Sequence, residues 1–112
     1  MTLSQDILRG YTDTIILRRL SEGDSYGYAI SKRVAEISGG ACVLKEATLY
    51  TAFRRLEAAG LIASHWGDEQ SGARRRYYAL TDLGRLRLEE DCLTWEETKA
   101  VMDLLIGGDR HE

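Results

Sequence analysis

The sequence predicts an α+β fold, mainly α: a winged helix-turn-helix with a long C-terminal dimerisation helix. Three observations predict it. Apolar residues recur at helical spacing in three blocks before Gly60, two β-rich runs flank the polar stretch Gly67 to Gly72, and an amphipathic block follows Thr81. With 112 residues, 44% hydrophobic and 29% charged, the chain can bury one modest core but not two. Residues 1–80 are expected to form the winged helix-turn-helix DNA-binding domain, and residues 81–112 the dimerisation helix and tail.

The glycine clusters punctuate the chain, which contains no proline. From about Ser4 to Ser21, Ile7, Leu8, Tyr11, Ile15, Ile16, Leu17 and Leu20 predict one buried helix. Asp24 and Ser25 are suitable N-caps for a second helix, in which Tyr26, Ile30, Val34 and Ile37 recur until Gly39-Gly40. Between Glu46 and Ala59, Leu49, Phe53 and Leu56 share one face and Ala47, Thr48, Thr51, Arg54 and Arg55 the other, ending at Gly60. Leu61 to Trp66 and Arg75 to Leu80 then read as a hairpin, the wing. Thr81-Asp82 starts a last helix of about 26 residues to Ile106, close to 39 Å long at 1.5 Å per residue.

Charge is better read by segment than in total. The formal charge of −3 divides into five basic and five acidic residues before Lys45, six and four from Lys45 to Tyr78, and four and nine beyond. The cations therefore collect where the third helix and the wing lie, and an acidic total does not exclude nucleic acid as a partner. No apolar run approaches the roughly 20 residues of a bilayer span, and the first residues lack a basic, then apolar, leader. A cytoplasmic protein with no membrane partner is expected. Cys42 and Cys92 read as reduced thiols. His65 and His111 stand in no catalytic or metal-binding spacing, and there is no phosphate loop or nucleophile elbow. No enzyme activity, cofactor or metal is expected.

In a helix-turn-helix the second helix of the motif offers its outer face to the major groove, which needs small, donor-rich residues and long cations. Thr48 and Thr51 can bond base edges or phosphates, Arg54 and Arg55 can reach phosphates or guanine, and Ala47 permits close approach. Lys45 precedes the helix, and Tyr50 at its flank suits a phosphate contact. Arg74, Arg75 and Arg76 beside Gly72 suit a wing crossing a phosphate backbone, although such a triplet also serves as a solvated strand edge. Winged helices act as protein-interaction modules as well, so a module without DNA binding is the competing reading.

In the last helix Leu88, Cys92, Trp95, Lys99, Met102 and Ile106 recur at spacings of four, three, four, three and four, a heptad seam that one small domain cannot cover. A homodimer is the economical partner, and two recognition helices imply a pseudo-palindromic operator in double-stranded DNA. Trp95 needs a large surface against its face: the partner's core, or a planar aromatic small molecule walled by Ile7, Leu8 and Tyr11, with Lys99 one turn away.

The run Glu46-Ala47-Thr48-Leu49-Tyr50, with Arg54-Arg55-Leu56-Glu57, Gly60-Leu61-Ile62, Trp66-Gly67, Arg76-Tyr77-Tyr78, Leu80-Thr81 and Gly84, resembles the PadR family of transcriptional regulators over about residues 5 to 106. Trp66-Gly67-Asp68-Glu69 and Trp95 make it look most like the small multidrug-sensing members. The resemblance implies a dimeric repressor that occupies an operator and changes its grip when a planar ligand stacks between paired tryptophans. The chain departs from the pattern in three places: Thr51 stands where many members have proline, Lys99 where the drug-sensing relatives have an acid, and Cys92 where they have an aromatic residue.

Overall fold

The computed structural model describes residues 1–67 and 74–108. Ser4 caps helix α1 (Gln5–Arg9) by accepting the Ile7 N–H at 3.2 Å. The expected single first helix is in fact two. At Tyr11 the backbone leaves the helical region (φ −123°, ψ −6°), and α2 (Thr12–Leu20) starts anew. The Thr12 hydroxyl donates to the Leu8 carbonyl at 2.8 Å and holds the corner closed. The corner directs Leu8 into the core and leaves Ile7 exposed.

Helix α3 (Gly27–Ile37) starts later than predicted, with Tyr26 at its N-cap position and no capping side chain. Ser25 is used differently: it bridges Tyr78, its N–H donating at 3.1 Å and its carbonyl accepting at 2.7 Å. After Gly39 and Gly40, which take the left-handed φ of 60° and 85° that a side chain disfavours, α4 spans Glu46–Ala58. Strands β1 (Ile62–Trp66) and β2 (Arg76–Leu80) pair antiparallel, with Ile62 opposite Leu80 and His65 opposite Tyr77. The Ser25 bridge lies on the other edge of β2. The sheet of the wing thus has two strands, with one isolated bridge tying its free edge to the segment before α3.

Phe53, Ile16, Leu17, Ile30, Leu49, Leu56 and Ile62 fill the centre, and Tyr78 stacks on Phe53 with ring centroids 4.1 Å apart. Burying such side chains contributes roughly 1.5–3 kcal/mol apiece, so this cluster, shared by α2, α3, α4 and β1, fixes the angle at which α4 is presented.

Helix α5 (Asp82–Met102) follows β2 with one residue between. That residue, Thr81, donates its hydroxyl to the Gly60 carbonyl at 2.7 Å and accepts the Gly84 N–H at 3.0 Å. Gly84 is required by packing, since a Cβ there would lie 2.1 Å from the Leu61 carbonyl oxygen. The predicted helix to Ile106 gives way at Asp103 to a π-helical turn (Asp103–Gly107), ended by Gly108 at φ 35°. Only the beginning of α5 touches the core, and the rest extends the molecule to 59 × 30 × 21 Å.

Candidate nucleic-acid interface

Helix α4 turns Leu49, Ala52, Phe53 and Leu56 inward, which leaves Ala47, Thr48, Thr51 and Arg54 on the solvent side. Arg54 reaches back along this face to the Thr51 hydroxyl at 3.4 Å. Lys45 is exposed at the N-cap position. Tyr50 is half-exposed and lies against α3, its hydroxyl 2.8 Å from where a Cβ on Gly27 would stand, with Phe53 edge-on beneath it. A side chain at Gly27 would displace that hydroxyl from the start of α3.

The wing comes to the same place. The Arg75 guanidinium lies 4.8 Å from the centre of the Tyr26 ring, and Tyr26 meets Tyr77 edge-on at 5.3 Å. The Arg74 guanidinium sits 5.3 Å from the centre of the exposed Trp66 ring. The structure thus gathers Tyr50 of α4, Arg75 of the wing and the uncapped first turn of α3 around Tyr26-Gly27. Backbone N–H groups at a helix start, with no acidic residue in the turn, suit an anion, and the cation and hydroxyl beside them have the same sense.

Among the described residues, the predicted cations Arg76 and Arg55 bond carboxylates of the protein itself. The Arg76 Nη2 donates to Glu57 Oε1 at 3.2 Å and to the Ser64 Oγ at 2.9 Å, while the Ser64 hydroxyl donates to Glu57 Oε2 at 2.6 Å. This network fastens β1 and β2 to the end of α4, so Arg76 is committed to bracing the wing. Arg55 points toward α2, where its Nε donates to Asp13 Oδ2 at 3.2 Å and its Nη2 to Oδ1. Hydrogen bonding to Asp13 raises the Arg55 pKa above its ordinary value. Gly72 lies outside the described residues, as do Asp68, Glu69 and His111.

A groove of about 390 Å³ opens where α5 passes the α1–α2 corner, lined by Tyr11, Trp95, Thr98, Lys99, Met102 and Ile106 among others. Tyr11 meets Trp95 edge-on at 5.4 Å. Of the wall expected from Ile7, Leu8 and Tyr11, Tyr11 lines this groove of the single chain, whereas Leu8 is buried in the core and Ile7 is exposed outside the groove's lining. Lys99 lies 5.6 Å from the Trp95 ring centre, but its Nζ is 3.0 Å from Glu96 Oε2, which offsets its charge at the mouth.

The predicted seam also divides. Leu88 is buried in the chain's own core, whereas Cys92, Trp95, Met102 and Ile106 are exposed. Leu86 and Leu104, which that seam omitted, and Leu93, which the sequence sets beside it as a widening of the stripe, are more exposed than Trp95 or Met102. Both thiols are free, Cys42 buried and Cys92 exposed.

Sequence reasoning missed Asp13 and Glu57, the carboxylates that hold Arg55 and Arg76, and Tyr26, on which the wing rests. The first two carried no sequence signal, since they lie 42 and 19 positions from their partners. The third stood in the Tyr26-Gly27-Tyr28 run.

The model of the "Transcriptional regulator PadR-like family" matches residues 16–90. A solved transcriptional regulator from Clostridium thermocellum is 47% identical, covering 91% of this chain and 99% of that one, with a TM-score of 0.85. A PadR family transcription regulator from Clostridium difficile is 42% identical, covering 86% and 98%, with a TM-score of 0.77. An uncharacterised protein of Lysinibacillus sphaericus is 43% identical over 103 residues, 92% of this chain and 94% of that one.

Proposed function

The chain belongs to the PadR-like family of transcriptional regulators, and from that membership we propose that it acts as a homodimeric repressor on a pseudo-palindromic operator. It is a regulator and not an enzyme. Among the described residues no helix is long and apolar enough to cross a membrane. The observation that carries the DNA reading is the meeting of the α4 tyrosine, a wing arginine and the start of α3 around Tyr26-Gly27. Thr48, Thr51 and Arg54 read bases from the outer face of α4, Lys45 and Tyr50 take phosphates, and Arg74 and Arg75 add sequence-independent affinity from the wing. Residues 1–80 supply this surface. Residues 81–112 supply the dimer contact, except that the first two turns of α5 are packed into the body.

The dimer forms through the exposed apolar surface of α5, with Leu93 and Leu104 joining Cys92, Met102 and Ile106 in the contact. The ligand reading rests on the Tyr11–Trp95 groove and on the likeness to the small multidrug-sensing members. A planar aromatic molecule stacks on Trp95 there, and with Lys99 paired to Glu96 the site does not select strongly against cations. Binding shifts DNA affinity only to the extent that the ligand prefers one arrangement of the subunits.

The test is anisotropy of a labelled random duplex at low salt, followed by sequencing of duplexes selected from a random pool. Selection of an inverted repeat supports the proposal. No binding to any duplex at low salt favours a protein-interaction module instead.

A further inference from the structure

Four consecutive residues at the start of α2 hold four different neighbours. The Tyr11 ring meets Trp95 of α5, the Thr12 hydroxyl bonds the α1 carbonyl of Leu8, the Asp13 carboxylate takes Arg55 of α4, and the Thr14 hydroxyl donates to Asp91 Oδ2 of α5 at 2.7 Å. The Asp91 carboxylate also accepts from Arg87 Nε at 3.0 Å, so Thr14 is anchored to a group that is itself fixed. The turn therefore touches both the groove and α4.

The Asp13–Arg55 contact has the geometry to transmit movement. Two parallel N–H···O bonds between a guanidinium and a carboxylate fix the plane and direction of both groups, which a single bond or a lysine does not. Arg55 lies in the last turn of α4, next in sequence to Arg54 on the outer face. Asp13 lies in the first turn of α2, two residues after the Tyr11 that walls the groove. Tyr11 stands at the N-cap position of that turn and its carbonyl accepts the Ile15 N–H at 2.9 Å, so a shift of Tyr11 that moves its backbone bears on the turn that carries the carboxylate.

We propose that Asp13 is a positioning residue that couples the Tyr11–Trp95 groove to the placement of α4 through Arg55. This rests on the reading of α4 as the DNA-contacting helix. Arg55 on this account serves the helix and not the phosphate backbone, and whatever occupies the groove acts on DNA affinity by moving the first turn of α2.

The test needs no identified ligand. Affinity for a random-sequence duplex at low salt is measured for the full chain, for Trp95→Ala, for Arg55→Lys and for the double variant. Trp95 and Arg55 touch different residues, and effects of such independent positions normally multiply, to within about twofold. The relay predicts a double variant that departs from the product by roughly threefold or more. Asp13→Asn in place of Arg55→Lys should give the same departure, whereas Arg54→Lys, which is not tied to α2, should combine with Trp95→Ala multiplicatively. That control is the readout that general loosening of the dimer would move equally. Should Trp95→Ala unfold, Tyr11→Leu replaces it in the cycle. Multiplicative effects with Arg55 and Asp13, or an equal departure with Arg54, overturn the relay and leave the DNA reading standing. Failure of the unmodified chain to bind duplex overturns the DNA reading, and the relay with it.

Discussion

Gly84 and Leu88, on the inward side of the long helix, are buried with the core they join, whereas beyond Asp91 Leu93 of that helix and Leu104 of the turn that follows it are 67% and 78% exposed. The first part is fixed by contact: Gly84 against the Leu61 carbonyl, Leu88 in the shared cluster. The second part has local support, such as the Lys99–Glu96 pair, and surface pairs of that kind contribute only about 0.3–0.5 kcal/mol. An isolated helix of such length is marginal in water. The near half of α5 thus packs into the folded body, while the far half presents an apolar surface that the proposed dimer would cover.

The largest test of that contrast is at the near end. Gly84→Ala drives a methyl group into backbone and should destabilise the protein by about 3 kcal/mol in urea denaturation, the upper range for overpacking. Next comes the far end, where Leu104→Asp should leave the body within about 0.5 kcal/mol of its original stability under conditions where it is monomeric. The same change should raise the dimer dissociation constant more than about tenfold in sedimentation equilibrium, since each copy loses a buried leucine. A dimer indifferent to Leu104 and Leu93 would place the contact elsewhere and remove the contrast.

A smaller effect separates the two kinds of wing cation. Arg74→Ala should flatten the slope of log affinity against log salt by up to about 0.9, the value of one phosphate contact. Arg76→Ala should change that slope little and lower stability by about 1 kcal/mol, because its hydrogen bonds run to Glu57 and Ser64.

The smallest effect is in pH. Burial raises the Cys42 thiol above its ordinary value, so the unfolded chain loses this proton first. The contribution is complete below the ordinary thiol range and is lost as pH rises through the folded value. Stability should therefore decline modestly above about pH 8.5, and Cys42→Ala should reduce the decline. Cys92, exposed on the single chain, should react with a thiol reagent at dilutions where the protein is monomeric and be protected in the proposed dimer, while Cys42 reacts in neither.

Periodicity made α3, α4, the hairpin and most of α5 legible, because each has a solvent face and a core face with the expected repeat. It could not show the corner at Tyr11, since apolar residues continue on both sides of it and the break is made by a backbone rotation and the Thr12 hydroxyl. Leu88 illustrates a second limit. Heptad spacing places it with Cys92 and Trp95, but spacing describes one helix and does not say whether the neighbour is this chain's core or another copy. The candidate interface was legible as a set of residue types on α4 and the wing. The diversion of Arg55 and Arg76 was not, because each depends on a carboxylate brought near only by the fold.

The join between β2 and α5 has a mechanical consequence. With Thr81 bonded to Gly60 and Gly84, the arm has no linker to swivel on and leaves the wing as a rigid lever. Its 21 residues span about 31 Å, so a turn of 10° at one end sweeps about 5 Å at the other. In a pair of such chains the crossing angle of the two levers would set the distance between the two α4 helices. A molecule lodged beside Trp95, part-way along the arm, would then bear on that spacing as well as on the first turn of α2.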